Sequence, residues 1–125
     1  MRELDRLLRP NGYLILTAPF CSMTHFSPYF FYTGYSANFY NHWLGALGYS
    51  IKEMQWNGNY FQYIAQELRR LPSMCSRYAG ASPTFWERYA INMLLAFLGR
   101  VAEQNNRSEE LMCYGIHVLA MKNSQ

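Results

Sequence analysis

Residues 9–19 read Arg-Pro-Asn-Gly-Tyr-Leu-Ile-Leu-Thr-Ala-Pro, a tight turn that leads directly into an apolar segment. An amphipathic helix is predicted over residues 2–8, and Pro10 ends it because the residue before a proline is driven out of the α region. Asn11-Gly12 accepts the dihedral angles of a turn. Residues 13–18 are apolar without alternation, which is typical of a strand covered on both faces. The stretch therefore predicts a helix, a turn and a buried strand in succession.

Two further strands are predicted from the patterns that follow. Ser36 is placed to cap a helix that extends to about Leu47. Residues 49–56 alternate in polarity, which indicates a half-exposed outer strand with Met54 and Trp56 on the side opposite Tyr49. Residues 112–121 are almost all apolar, as in a central strand.

A helical insertion is predicted between the last two strands, over about residues 57–107. Its first helix covers residues 60–71 and stops before Pro72, and residues 74–81 form a loop. Its second helix begins at Ser82-Pro83, a cap followed by a proline in the first turn. The inner face of this second helix is expected to bury Trp86, Tyr89 and Met93.

The turn and strand at residues 9–19, together with the loop at residues 20–35, resemble the late helix–strand unit of class I S-adenosylmethionine-dependent methyltransferases, type 11-like. In that family a helix ends in a Leu-x-Pro-Gly-Gly-like turn and leads into a strand that closes with a small residue and Pro. The resemblance continues through residues 47–49 and 57–61 to the final strand. It implies an α/β, partial Rossmann-like fold with a three-stranded mixed sheet, in the family's strand order five, seven, six. Residues 1–125 would form a single partial domain.

The cofactor-binding features of that family do not occur in this sequence. The chain has eight glycines but no Gly-x-Gly pair, so the Gly-rich turn that approaches the cofactor is missing. The resemblance therefore implies the C-terminal half of a methyltransferase whose N-terminal half is absent, through a truncated gene, a late start or a trimmed chain. We expect the full-length family to use S-adenosylmethionine, and this chain alone to be inactive and to bind none of it.

Composition limits the other classes of function. The net charge of +3, with 15% charged residues, is too small to demand a nucleic acid. Cys21, Cys75 and Cys113 form no Cys-x-x-Cys pair, so neither a metal site nor a disulfide framework is expected, and a reducing cytoplasm fits. The charged start is unlike a signal peptide, and the apolar run at residues 91–98 is far shorter than the ~20 residues that span a bilayer.

The candidate site lies in the loop that follows the first strand. His25 would stand at the carboxyl edge of the sheet, where α/β folds bind ligands, and could accept a proton from the methyl acceptor. The neighbouring tyrosines could form the wall of an acceptor pocket, or pack against a cationic sulfonium through their π faces. They are Tyr29, Tyr32 and Tyr35. The alternative is that His25 and these rings only pack the loop onto the domain.

Asn59 and Tyr60 are the other predicted acceptor-binding residues. They follow the outer strand and could reach the same rim, although the turn Asn57-Gly58 needs no functional explanation. His42 and His117 are interpreted as packing residues.

Three functions remain open from the sequence. The first is a fragment of a methyltransferase that acts on an unidentified, small-molecule acceptor. The second is a non-enzymatic interaction or dimerisation module derived from such an enzyme, with a homo-oligomer as a possible partner. The third is a nucleic-acid-binding domain that uses aromatic and arginine side chains, against which the modest charge argues.

Overall fold

The structure is a computed structural model that describes residues 1–25 and 27–124. It combines several helices with one three-stranded antiparallel sheet. The chain divides into two compact units: a sheet unit of Met1–Asn57 with Cys113–Gln125, and a helical unit of Gly58–Met112. The predicted insertion at residues 57–107 lies close to the bounds of the helical unit.

The sheet unit contains two helices and three strands. In chain order they are α1 (Arg2–Leu7), β1 (Tyr13–Pro19), α2 (Ala37–Ala46), β2 (Tyr49–Asn57) and β3 (Gly115–Lys122). The Ser36 hydroxyl accepts a hydrogen bond from the Phe39 N–H, which confirms Ser36 as the cap of α2. The third strand begins three residues later than predicted, and Cys113 is fully buried just before it.

The sheet order is β1-β3-β2, and β3 is antiparallel to both neighbours. The expected mixed sheet is therefore wrong for these strands, because every hydrogen-bonded pair is antiparallel. Tyr13 pairs with Met121 at one end of β1 and Pro19 pairs with Gly115 at the other. A Rossmann-like fold, and the family's strand numbers with it, stay predictions from the resemblance.

Only one face of β1 is covered. Leu14 is 8% exposed, whereas Ile15 is 75% exposed and Tyr13 is 63% exposed. The prediction of a strand buried on both faces is wrong, because α2 packs on one side of the sheet and the other side faces solvent. We call the second side the open face, and it includes Tyr13, Ile15, Thr17, Glu53, Gln55 and His117.

The core of the sheet unit lies between α2 and the sheet. Tyr40 and Leu44 project from α2, and Ile116, Val118 and Ala120 lie beneath them on β3. These five side chains are at most 2% exposed. Leu14, Tyr49 and Cys113 complete the cluster.

A β-bulge in β2 corrects the predicted faces of that strand. The register against β3 shifts between Ile51 and Glu53, so one extra residue interrupts the alternation. Tyr49 lies in the core cluster, and Met54 and Trp56 pack against that same cluster. The prediction that Met54 and Trp56 lie on the side opposite Tyr49 is therefore wrong.

The helical unit consists of α3 (Tyr60–Met74), a π-helical segment (Cys75–Ala79), α4 (Phe85–Glu103) and a 3₁₀ turn (Ser108–Glu110). Pro72 lies inside α3, so the predicted stop before it is wrong. The predicted loop at residues 74–81 is also wrong, because the chain continues as the wider π turns until Gly80, which adopts a left-handed conformation.

The second helix of this unit begins two residues later than predicted. Thr84 caps α4 in a capping box with Glu87, whose pKa the backbone and hydroxyl of Thr84 lower. No residue of α4 is buried. The predicted burial of its inner face is wrong, because Trp86, Tyr89 and Met93 are 74%, 56% and 58% exposed.

Candidate functional site

The candidate site is built on an aromatic loop, described over residues 20–25 and 27–35, that leaves the carboxyl end of β1. The Tyr35 N–H donates to the Pro19 carbonyl at 2.9 Å and so brings the two ends of the loop together. The Ser22 hydroxyl donates across the loop to the Thr33 carbonyl at 3.0 Å. These two hydrogen bonds fix the loop to the end of the strand.

Gly34 makes this closure possible. A Cβ atom at this position would collide with the carbonyl oxygens of Pro19 and Phe20. Both obstacles are backbone atoms, which cannot rotate away as a flexible side chain would. The absence of a side chain at Gly34 therefore lets the two ends of the loop approach each other.

The loop encloses a shallow pocket of about 280 Å³. That volume is near the lower end of small-molecule sites. Its lining residues all belong to the sheet unit: Pro19, Ser22, His25, Tyr29, Phe30, Phe31, Tyr32, Thr33, Gly34 and Tyr35. The four loop residues predicted from the sequence are thus brought together, and Ser22, Phe30, Phe31 and Thr33 are added to them.

His25 has a defined orientation in this pocket. Its Nδ1 lies 2.8 Å from the Met23 carbonyl oxygen, and its ring lies 5.0 Å from the Phe30 ring. Because a carbonyl can only accept, Nδ1 carries the proton and Nε2 carries the lone pair of the neutral imidazole. The contact with Met23 therefore selects the tautomer in which Nε2 carries the lone pair.

The tyrosines of the loop divide into exposed and anchoring rings. Tyr29 and Tyr32 are 78% and 71% exposed, so their π faces are accessible. Tyr35 is half-buried, and its ring lies 4.4 Å from Phe39 on α2. Tyr35 thus attaches the loop to the core, and Tyr32 stands 6.0 Å from it on the pocket side.

Asn59 and Tyr60 belong to the helical unit and do not line this pocket. Asn59 caps α3: its side-chain oxygen accepts from the Gln62 N–H at 3.0 Å, and its side-chain nitrogen donates to the Ala102 carbonyl at 3.2 Å. The Gln62 side chain completes a capping box. These hydrogen bonds give Asn59 a structural role, which the Asn-x-x-Gln spacing indicates from sequence alone.

A second polar group lies on the open face. Thr17 Oγ1 and His117 Nδ1 are 3.0 Å apart across the β1–β3 pair, and Gln55 is the cross-strand neighbour of His117 on β2. The Gln55 amide donates to the Glu53 carboxylate. From the sequence alone, His117 is interpreted as a packing residue. Strand pairing is needed to reveal that Thr17, His117 and Gln55 form one polar row across the sheet.

The chain's own residues do not form a cofactor cradle of the kind that the resemblance implies. Gly34 and Gly115 both lie against backbone carbonyls of β1, while Gly45 and Gly99 lie within helices. The sequence also contains no Gly-x-Gly pair, which is the spacing of the turn that the cofactor approaches in that family. Among residues 1–25 and 27–124, no three metal-binding side chains converge.

No helix in the described part of the chain combines the length and the apolarity needed to cross a membrane. No family model, curated protein or solved structure matches this chain.

Proposed function

We propose that this chain is the acceptor-binding part of an S-adenosylmethionine-dependent methyltransferase, and that the aromatic loop holds a small-molecule acceptor. The observation that carries the proposal is the pocket at the carboxyl end of β1, where His25 and exposed tyrosines converge. In the parallel sheets of the family that the sequence resembles, ligands bind at the carboxyl ends of the strands. The pocket volume suits a small acceptor rather than a macromolecule.

The chemistry that these residues offer is proton removal in an aromatic surrounding. An acceptor O–H or N–H that reaches Nε2 of His25 can donate its proton there, while the Met23 carbonyl keeps the other nitrogen protonated. The rings of Tyr29 and Tyr32 can cover an apolar or cationic ligand. Together they orient the acceptor and take its proton.

The methyl-donor site is assigned to further polypeptide, because the sequence of this chain contains no Gly-x-Gly turn for it. The edge of β1 supports such an extension. β1 forms one edge of the described sheet, and among the described residues no strand pairs with its outer side. A neighbouring strand in a longer protein would cover this edge.

The proposal is tested by ligand-observed NMR with small phenols, catechols and amines on the 125-residue chain. Binding is expected, and His25→Ala and Tyr32→Ala are expected to weaken it. Tyr78→Ala is the matched control, since Tyr78 is 74% exposed and lies in the helical unit. Equal binding by all four proteins would refute the pocket.

Calorimetric titration with S-adenosylmethionine is the second arm. No saturable heat is expected from this chain, because the cradle for the cofactor is assigned elsewhere. Binding in the micromolar range would contradict that assignment while leaving the acceptor pocket untouched, so the two arms fail independently.

A second candidate function is an interaction module. It is favoured by one specific observation: α4 has no buried residue, although 14 of its 19 positions between Phe85 and Glu103 are apolar or glycine by sequence. Surfaces of this kind commonly mark contact sites between proteins.

A further inference from the structure

The strongest unexplained feature of the helical unit is the outer side of α4. Its other side faces α3, with Ile91, Leu95 and Leu98 half-buried at helical spacing. We define the outer stripe as Trp86, Tyr89, Met93 and Phe97, which are 50% to 74% exposed. A helix with an apolar stripe on each side needs two partners, and α3 occupies one of the two sides.

We propose that the outer stripe binds the same stripe of a second copy of this chain, with the two α4 helices antiparallel and their two-fold axis near Met93. This surface is distinct from the aromatic loop, and the proposal does not depend on the proposed function.

The spacing of the stripe is self-complementary, as a two-fold contact requires. Trp86 and Arg100 each lie seven residues from Met93, and Tyr89 and Phe97 each lie four residues from it. In an antiparallel pair, residues equally distant from the axis meet. Tyr89 of one copy therefore faces Phe97 of the other, and Met93 faces its own counterpart.

The two ends of the stripe are also complementary in chemistry. Trp86, Met93 and Arg100 recur every seven residues, about two helical turns, and so lie along one line of the helix. The antiparallel arrangement brings Arg100 of one copy over Trp86 of the other. A guanidinium over an indole face is the favoured form of a cation–π contact, and it occurs twice in the dimer.

The available area matches what a stable dimer needs. Phe85 and Leu94 flank the stripe and are 74% and 52% exposed. With them, six large side chains offer on the order of 700 Å² per copy, close to the ~800 Å² per partner of a standard interface. An unrelated partner would need no symmetry in the stripe, so the symmetry favours a second copy.

Sedimentation velocity of the full chain across the micromolar range tests the proposal. The wild type is expected to form a dimer. Met93→Glu places two carboxylates at the axis and is expected to weaken the dimer by at least about 100-fold. Asn106→Glu adds the same charge at an exposed position beyond the end of α4, outside the stripe, and should leave the dimer intact.

A mixing experiment identifies the partner as a second copy. Met93→Glu and Met93→Lys are each expected to be monomeric, and an equimolar mixture is expected to form a heterodimer because opposite charges meet at the axis. Far-UV circular dichroism checks that each variant keeps its helices, which the 58% exposure of Met93 leads us to expect. A monomeric wild type, equal weakening by Asn106→Glu, or a mixture that stays monomeric would overturn the proposal. So would a dimer that survives Met93→Glu but is lost in Ile15→Lys, since it would place the contact at the open face of the sheet.

Discussion

The two units of this chain use apolar residues in different ways. In the sheet unit, seven side chains from α2 and all three strands form one buried cluster with Cys113, which precedes β3. In the helical unit, Tyr63, Ala65 and Asn59 are the buried residues among those described, and α4 contributes none. A similar supply of apolar side chains therefore gives a closed core in one unit and exposed stripes in the other.

The difference follows from how far apart in the sequence the contacting residues are. The strands of the sheet unit join residues about 100 positions apart, such as Thr17 and His117, and the resulting surface is covered by α2. The helical unit is made from α3 and α4, which are close in sequence and can cover only one side of each other. A helix pair therefore leaves apolar surface that a third element has to cover.

The largest expected effect is the loss of a buried isoleucine from the sheet unit. Ile116 is fully buried, so Ile116→Ala should lower the free energy of unfolding by about 3 kcal/mol through lost burial and the cavity left behind. Ile15→Ala on the neighbouring strand is the matched control and should cost no more than about 0.5 kcal/mol, because Ile15 is 75% exposed. Denaturant unfolding measures both.

Ile91→Ala sharpens the comparison between the units. Ile91 is half-buried on the α3 side of α4, and its loss should cost about 1 kcal/mol, between the other two values. A cost at Ile91 equal to that at Ile116 would show that the helical unit has a closed core, and would contradict the difference drawn between the units.

The next effect concerns the closure of the aromatic loop. Gly34→Ala should destabilise the sheet unit by about 2 kcal/mol and remove ligand binding, since the added methyl group meets the carbonyls of Pro19 and Phe20. Gly45→Ala in α2 is the control: nothing lies within 4 Å of its Cβ position, so it should stabilise by about 0.5–1 kcal/mol. Thermal melts with both variants check the opposite signs. A destabilising Gly45→Ala would mean that the environment of α2 is misjudged.

A smaller effect tests the structural role of Asn59. Asn59→Ala should cost about 1–2 kcal/mol, because it removes the cap of α3 and the hydrogen bond to the Ala102 carbonyl. Asn59→Asp keeps the accepting oxygen and loses only the donor, so its cost should be smaller. The helical circular dichroism signal on heating reports both. If ligand affinity fell in Asn59→Asp while the melt stayed unchanged, Asn59 would be a binding residue as the sequence suggests.

The smallest effect is a dependence of stability on pH through Asp5. The Lys122 ammonium lies 2.8 Å from the Asp5 carboxylate and holds its pKa below the ordinary value of 3.8. A pKa that is lower in the folded state gives stability that is present above pH 3.8 and is lost as the pH falls through the folded-state value.

Asp5→Asn and Lys122→Met should therefore flatten the acid side of the stability curve, measured by denaturant unfolding at several pH values. Glu3→Gln is the control. Its ion pair with Arg6 is about two-thirds exposed and screened by solvent, so its effect on the same curve should be smaller. An acid limb that is unchanged in both Asp5→Asn and Lys122→Met would show that the pair contributes nothing.

Local signals in the sequence were sufficient for elements that depend on a few neighbouring residues. Ser36 identifies the start of α2, and the alternation at residues 49–56 identifies β2. Thr84 carries a similar signal for the start of α4, because Thr-x-x-Glu is a capping-box spacing. Ser82-Pro83 carries a competing signal two residues earlier. The prediction that the helix stops before Pro72 is wrong, because a proline removes one hydrogen bond from a helix and α3 tolerates that loss.

Burial could not be predicted in the same way, because it depends on which elements become neighbours. An apolar run such as residues 13–18 does not indicate whether one face of the strand or both faces will be covered. Likewise, an apolar residue such as Trp86 does not indicate whether another element of the chain packs against it. The bulge in β2 is equally hidden, since it arises from pairing with β3. For the site, the loop could be located from sequence, whereas the hydrogen bond from His25 to the Met23 carbonyl required coordinates.

The measurement that tests the central claim most directly is residue-level mapping of small-ligand binding by NMR of the ¹⁵N-labelled chain. The claim is that the sheet unit carries the acceptor pocket in its aromatic loop. A diverse set of small molecules with an O–H or N–H is expected to shift the amide signals of residues 20–35 in preference to all others, and to lose this preference in Tyr32→Ala. Binding that concentrates on the Thr17–His117 row of the open face or on α4, with the loop signals unmoved, would contradict the claim.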